Sequence, residues 1–199
     1  MTVALQPLTQ GRDLPDNSAS DVDRAVMLTV PADLSFEGAI ALTQEFLTQL
    51  DSLDTAAVTP FVRQLNGTMN GARGFFVIYL TADSPIADQQ RPEILAGLTD
   101  LPETVDELLV KNLAMSTATA LTHERQDNAD MAASSQRVAQ RSAAHLQALT
   151  SDSIRSRLAQ LQASLEGDGP YADFLSRWGY DTEQRQAIGA AIAPLLNTV

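Results

Sequence analysis

Asn112, Ser116, Thr119 and His123 follow one another at spacings of three and four residues. A helix through them gathers an amide, two hydroxyls and an imidazole on one broad arc, which Leu108, Leu109 and Leu113 share. Polar groups on a core-facing side must be hydrogen-bonded, because an unpaired one costs roughly 1 to 3 kcal/mol. One reading is therefore a polar ligand pocket. The plainer reading is close helix packing, in which Ser116, Thr119 and Ala120 are small and the hydroxyls bond back to their own helix.

His123, Asp127 and Asp130 stand at i, i+4 and i+7, a spacing that could aim three metal ligands from one helical face. That geometry needs an unbroken helix where Asp127 and Asn128 predict a break. The second histidine, His145, cannot meet His123 across a hairpin turning near residue 127, because their layers would differ by about 20 Å at the rise of an α-helix. There is no HExxH, no nucleophile elbow, no phosphate loop and no dinucleotide fingerprint. With no cysteine in the chain, thiolate nucleophiles, zinc–thiolate sites and iron–sulfur clusters are excluded. The expectation is no metal, no cofactor and no catalytic residue.

Two other groups are candidates for contact with a partner. Arg137, Arg141 and His145 form a basic line at i, i+4 and i+8, followed by Arg155 and Arg157. Such a line could receive a carboxylate, a phosphate or the acidic patch of another protein, or it could be a solvated face balanced by neighbouring acids. Tyr171, Phe174, Trp178 and Tyr180 concentrate aromatic area in ten residues, suited to an interface or to packing of C-terminal helices onto a scaffold.

The elements that must position these groups are mostly helical. Residues 103–166 hold neither Gly nor Pro, and breaks near Asp127 and Ser151 divide them into an antiparallel pair and a third helix. Asp100 with Glu103 resembles a capping box, and Pro102 suits a first turn. Upstream, Ser35 offers an N-cap to a helix over 35–51, and a second runs over 55–65 with Pro60 as a kink or a later start. Gly67 to Gly74 reads as turns. The apolar run from Phe75 to Leu80 fits a buried strand or a buried helix equally by periodicity; helix is preferred, because a strand would have only residues 25–30 as partner. Downstream, Gly167 to Pro170 stops the third helix, a short aromatic helix follows, and Asp181 with Gln184 caps the last one. The predicted fold is a mainly α multi-helix bundle around an antiparallel hairpin. The alternative is an α+β fold with a two-strand ribbon from 25–30 and 74–80. Residues 1–23, rich in Pro, Gly and acids, are expected to form a flexible arm on a single domain over 24–199.

The chain carries 13 Lys and Arg against 25 Asp and Glu, a formal charge of −12. That balance repels a phosphate backbone, so nucleic acid is not expected as a partner. No apolar run approaches the roughly 20 residues of a spanning helix, and a cytoplasmic protein is expected.

Leu109 to Ala118, Leu121 to Arg125, Phe174 to Gln184 and Gly71 to Leu80 resemble segments of an uncharacterised group of small cyanobacterial proteins. The resemblance covers about the last two-thirds of the chain and implies no activity for any residue. It implies a cytosolic place or one peripheral to thylakoid membranes. Functionally, a non-enzymatic interaction or assembly protein is expected, with a protein partner or self-association. The alternative is a helical small-molecule-binding or catalytic domain using the polar face around Asn112 and His123.

Overall fold

The computed structural model describes residues 28–99, 101–149 and 151–197, so the arm expected over 1–23 lies outside the described residues. Helix α1 (Phe36–Gln49) starts where expected: Ser35 Oγ accepts the Gly38 N–H at 3.0 Å, and Glu37 lies in the first turn. It buries Ala39, Thr43 and Phe46, one face of a helix. Helix α2 (Thr55–Leu65) is capped by Asp54 and runs through Pro60 without a later start. The N–H that Pro60 lacks would have served the carbonyl of Ala56, an exposed residue whose oxygen water can reach.

The run from Phe75 to Leu80 is helical and lies within α3 (Met69–Thr81), which opens on a Thr68 cap. Phe75, Phe76, Tyr79 and Leu80 are buried while Val77 is exposed, a helical rather than an alternating pattern. No strand occurs among the described residues, so the ribbon alternative is not formed. The expectation of turns over Gly67 to Gly74 is corrected in its second half, because Gly71 and Gly74 are interior to α3. Gly74 is there for closeness: a Cβ added to it would stand 2.5 Å from Ala39 Cβ. Helices α1 and α3 thus meet backbone to backbone, a contact that local sequence rules read as a turn signal.

Helix α4 (Pro92–Leu98) packs on α2, where Thr59 Oγ1 donates to Glu93 O at 2.8 Å. Then come α5 (Glu103–Arg125) and α6 (Ala129–Leu149), joined at Asp127, whose φ is 54°. The tight connection and the extensive α5–α6 contact make them the antiparallel pair expected. At the start of α5 the structure has Pro102 as N-cap with no side-chain cap bond, and Asp100 lies outside the described residues.

Ser151 caps α7 (Asp152–Ser164) by accepting the Ile154 N–H at 3.1 Å. Short α8 (Ala172–Arg177) ends in a Schellman arrangement in which Tyr180 N–H reaches Leu175 O and Gly179 N–H reaches Ser176 O. The capping box expected for α9 (Thr182–Leu196) is present between Asp181 and Gln184. Gln184 also donates to Ala118 O at 3.1 Å and Thr122 Oγ1 at 2.9 Å, tying α9 to α5. The result is a mainly α multi-helix fold in which α5 contacts α6, α7 and α9, while α3 joins α1 to α6. One apolar cluster runs through it, from Phe46 and Phe61, with ring centroids 4.9 Å apart, to Leu161, Ile188 and Ile192.

Candidate functional site

The basic line on α6 does not act as a line. Arg141 is 3% exposed and spends every N–H donor it has inside the protein. Its Nε and Nη2 donate to the two Asp88 carboxylate oxygens at 2.8 and 2.7 Å. Its Nη1 donates to Leu80 O at 2.8 Å and Ala82 O at 2.7 Å, and Nη2 also donates to Ser84 O at 3.0 Å. Leu80 O belongs to the last turn of α3, where helical carbonyls lack intrahelical partners and the dipole is negative. The guanidinium therefore staples the end of α3 and the 82–88 connector to α6. Bonded to it, the Asp88 carboxyl is held below the usual carboxylate range.

His145 is fully buried one turn on. Its Nδ1 lies 2.8 Å from Arg141 O and its Nε2 lies 3.2 Å from Tyr79 Oη. A carbonyl can only accept, so Nδ1 carries the proton and Nε2 accepts from the Tyr79 hydroxyl. Burial pushes the imidazole below its ordinary value and the Tyr79 phenol above its own. Neither ring nitrogen is left for a metal or a substrate.

Arg137 is half-buried and pairs with Asp83 at 3.5 Å, Arg155 with Asp152 at 3.1 Å, and Arg157 with Glu103 and Glu107 at 3.0 and 3.3 Å. Arg141 and His145 are thus unavailable to a partner, and each remaining cation of the cluster has an acidic neighbour.

The polar face of α5 is half open. Asn112, Ser116 and His123 are half-buried and Thr119 is exposed. The hydroxyls that bond back to their own helix are those of Thr117, to Leu113 O, and Thr122, to Ala118 O. His123 Nδ1 is buried without a hydrogen-bond partner. Asp127 and Asp130 fall beyond the end of α5, and among the described residues no group of three His, Asp or Glu is placed to hold a metal ion.

The aromatic group divides. Tyr171 and Tyr180 are buried, Phe174 is half-buried, and its ring centroid stands 6.3 Å from that of Tyr171 and 6.2 Å from that of Tyr180. The Lys111 ammonium of α5 lies 5.9 Å from the Tyr171 ring centroid and 5.5 Å from that of Phe174. Burial raises the Tyr180 phenol to about 12. These three rings fasten α8 to the scaffold. Trp178, at the end of α8, is 54% exposed, and exposed Arg177 beside it has no ion pair among the described residues.

A further concavity escaped the sequence reading. A groove of about 710 Å³ runs between the end of α7, with Gln162, Leu165 and Glu166, and the start of α9, with Thr182, Arg185 and Gly189. Arg185 crosses it, donating from Nε to Tyr180 O at 3.0 Å and from Nη1 to Leu165 O at 3.2 Å. The available signal was Gly189 in mid-helix, which reads only as a weakness of α9 until α7 is placed beside it.

One protein-family model matches residues 35–195, from the cap of α1 to the penultimate residue of α9. The chain belongs to the family Uncharacterised conserved protein UCP020893. Helices α1 to α8, α9 as far as Leu195, the Arg141 staple, Trp178 and the α7–α9 groove lie within the span of UCP020893. No curated protein and no solved structure matches the chain.

Proposed function

We propose that this protein is a non-enzymatic interaction or assembly protein that docks a protein partner through Trp178 and Arg177. The observation that carries the reading is the exposed indole at the end of α8, beside an exposed guanidinium without a carboxylate, on a helix whose other aromatic residues are anchored in the fold. The few residues that dominate the binding energy of protein interfaces are enriched in Trp and Arg. The matching partner surface has an apolar recess bordered by a carboxylate. A second copy is the first candidate, since the chain is itself acid-rich. The polar groups that could have served catalysis in the core, Arg141, His145 and Tyr79, are consumed by one another and by backbone carbonyls.

No helix among the described residues is long and apolar enough to cross a membrane. With the sequence resemblance, this supports a cyanobacterial protein working in the cytoplasm or at the thylakoid surface.

Trp178 is the only tryptophan of the chain, so its fluorescence reports one position. A concentration series read by emission and sedimentation tests a second copy. A photo-crosslinking residue in place of Trp178, added to lysate, tests a different partner. Docking shifts the emission to the blue or yields a crosslinked product, and Arg177→Glu suppresses either signal. Emission that stays solvent-exposed at every concentration, with no crosslink sensitive to Arg177→Glu, overturns the reading.

A further inference from the structure

We propose that the groove between α7 and α9 is a binding site for a small zwitterion bearing a carboxylate and an ammonium group, the chemistry of a free amino acid. The first support is an imbalance of charge at Arg185. Among the described residues, the other buried or half-buried cations each have a carboxylate: Arg91 has Asp51 and Glu93, Lys111 has Glu107, Arg137 has Asp83, Arg141 has Asp88, and Arg157 has Glu103 and Glu107. Arg185 is half-buried and has backbone carbonyls alone, those of Tyr180 and Leu165. In a chain with about twice as many acids as bases, that leaves a guanidinium whose remaining N–H groups and full charge are unmatched. The negative end of α7, to which Leu165 O belongs, offsets only a fraction of it.

The second support is the shape and lining of the space. A volume of about 710 Å³ is within the range of small-molecule sites. Gly189 lines it, and a Cβ there would approach Leu165 Cδ1 to 3.1 Å. A glycine in mid-helix costs backbone entropy, and here it keeps the inner wall low. Leu165 offers apolar area, and Thr182 and Gln162 offer hydrogen-bonding groups.

The third is the pairing of signs. Glu166 lines the same groove as Arg185, yet the two form no ion pair. A cation held by two carbonyls and an exposed carboxylate lining one cavity, each free of the other, complement a ligand carrying both charges and disfavour a polyanion. Carboxylate on guanidinium is a fork-to-fork match. The first turn of α9 is not the anchor, because Asp181 already accepts the Gln184 N–H through its side chain and the Arg185 N–H through its carbonyl.

The test is a panel of free L-amino acids, with acetate and methylammonium as single-charge controls, titrated up to about 10 mM. Full-chain protein is followed by amide resonances, with Gly167 and Gly189 as groove reporters, and affinities are taken from the shifts. At least one amino acid should perturb both glycines, with each control at least about tenfold weaker. Arg185→Gln should weaken binding by about tenfold or more. If loss of its two carbonyl bonds unfolds that variant, Glu166→Gln decides, because Glu166 is exposed and its substitution leaves the fold intact. Silence of both glycines across the panel overturns the proposal. So does acetate binding as tightly as the amino acids, or affinity unchanged in Glu166→Gln. None of this rests on docking through Trp178, and Trp178→Ala should leave amino-acid binding untouched.

Discussion

Replacing Arg141 by methionine removes a guanidinium that makes five hydrogen bonds, three of them to carbonyls of Leu80, Ala82 and Ser84. Methionine approximates the length of the stem and leaves those oxygens with no donor. An orphaned buried acceptor costs about 1 to 3 kcal/mol, partly relieved where water enters, while the Asp88 carboxylate, half-exposed, is left to solvent and adds about 1 kcal/mol. Three such carbonyls, that of Leu80 buried and those of Ala82 and Ser84 part-buried, bring the expected loss to about 3 to 5 kcal/mol, a large share of the stability of an ordinary domain. Asp88→Asn should behave differently. Its side chain is half-exposed, the guanidinium keeps its three carbonyls, and the loss after allowance for solvent screening is about 1 kcal/mol. Urea unfolding of the two variants gives both numbers, with an unchanged slope as evidence that the native fold persists. Equal losses, or a loss below about 1 kcal/mol for Arg141→Met, would refute the argument that the carbonyl cradle is what the arginine serves.

Gly74→Ala gains helix propensity of up to about 1 kcal/mol, yet it places a Cβ 2.5 Å from Ala39 Cβ. Overpacking of about 1 to 3 kcal/mol should win, and a thermal melt that rises instead would show that α1 and α3 can part at no cost. Folding holds His145 neutral with its folded value below the unfolded one, so its contribution is complete above the unfolded value. That contribution is lost as pH falls from there towards the folded value. The charged and titratable groups around it are Arg141 on its own helix, Tyr79 on α3 and Asp88 in the connector. Urea midpoints at a series of pH values should decline through the mildly acidic range in the parent and less so in His145→Gln. Asp88, whose carboxyl is lowered, adds its own loss only as pH falls below the ordinary carboxylate value. Trp178→Ala should leave the urea midpoint almost unchanged, since the side chain is 54% exposed, and a large loss would place the indole inside the fold.

Much of the fold was legible because its signals are local. Ser35 and Asp181 each cap the helix read after them, and capping depends on a few consecutive residues. The break at Asp127 was legible for the same reason. Gly74 was misread because its role is a contact with α1, far away in the chain, and nothing in its neighbours distinguishes that from a turn.

The candidate sites divide along the same line. Residue type and spacing on their own determined that α6 would carry Arg137, Arg141 and His145 in line, that α8 would carry aromatic residues, and that cysteine chemistry was absent. Only the tertiary structure decided what those residues do. It buries Arg141 against Asp88 and the end of α3, sets His145 on Tyr79, leaves Trp178 outside, and opens a groove where Arg185 has no carboxylate. Helical periodicity states which residues share a face, whereas the charge and hydrogen-bond balance of a face depends on the element laid against it.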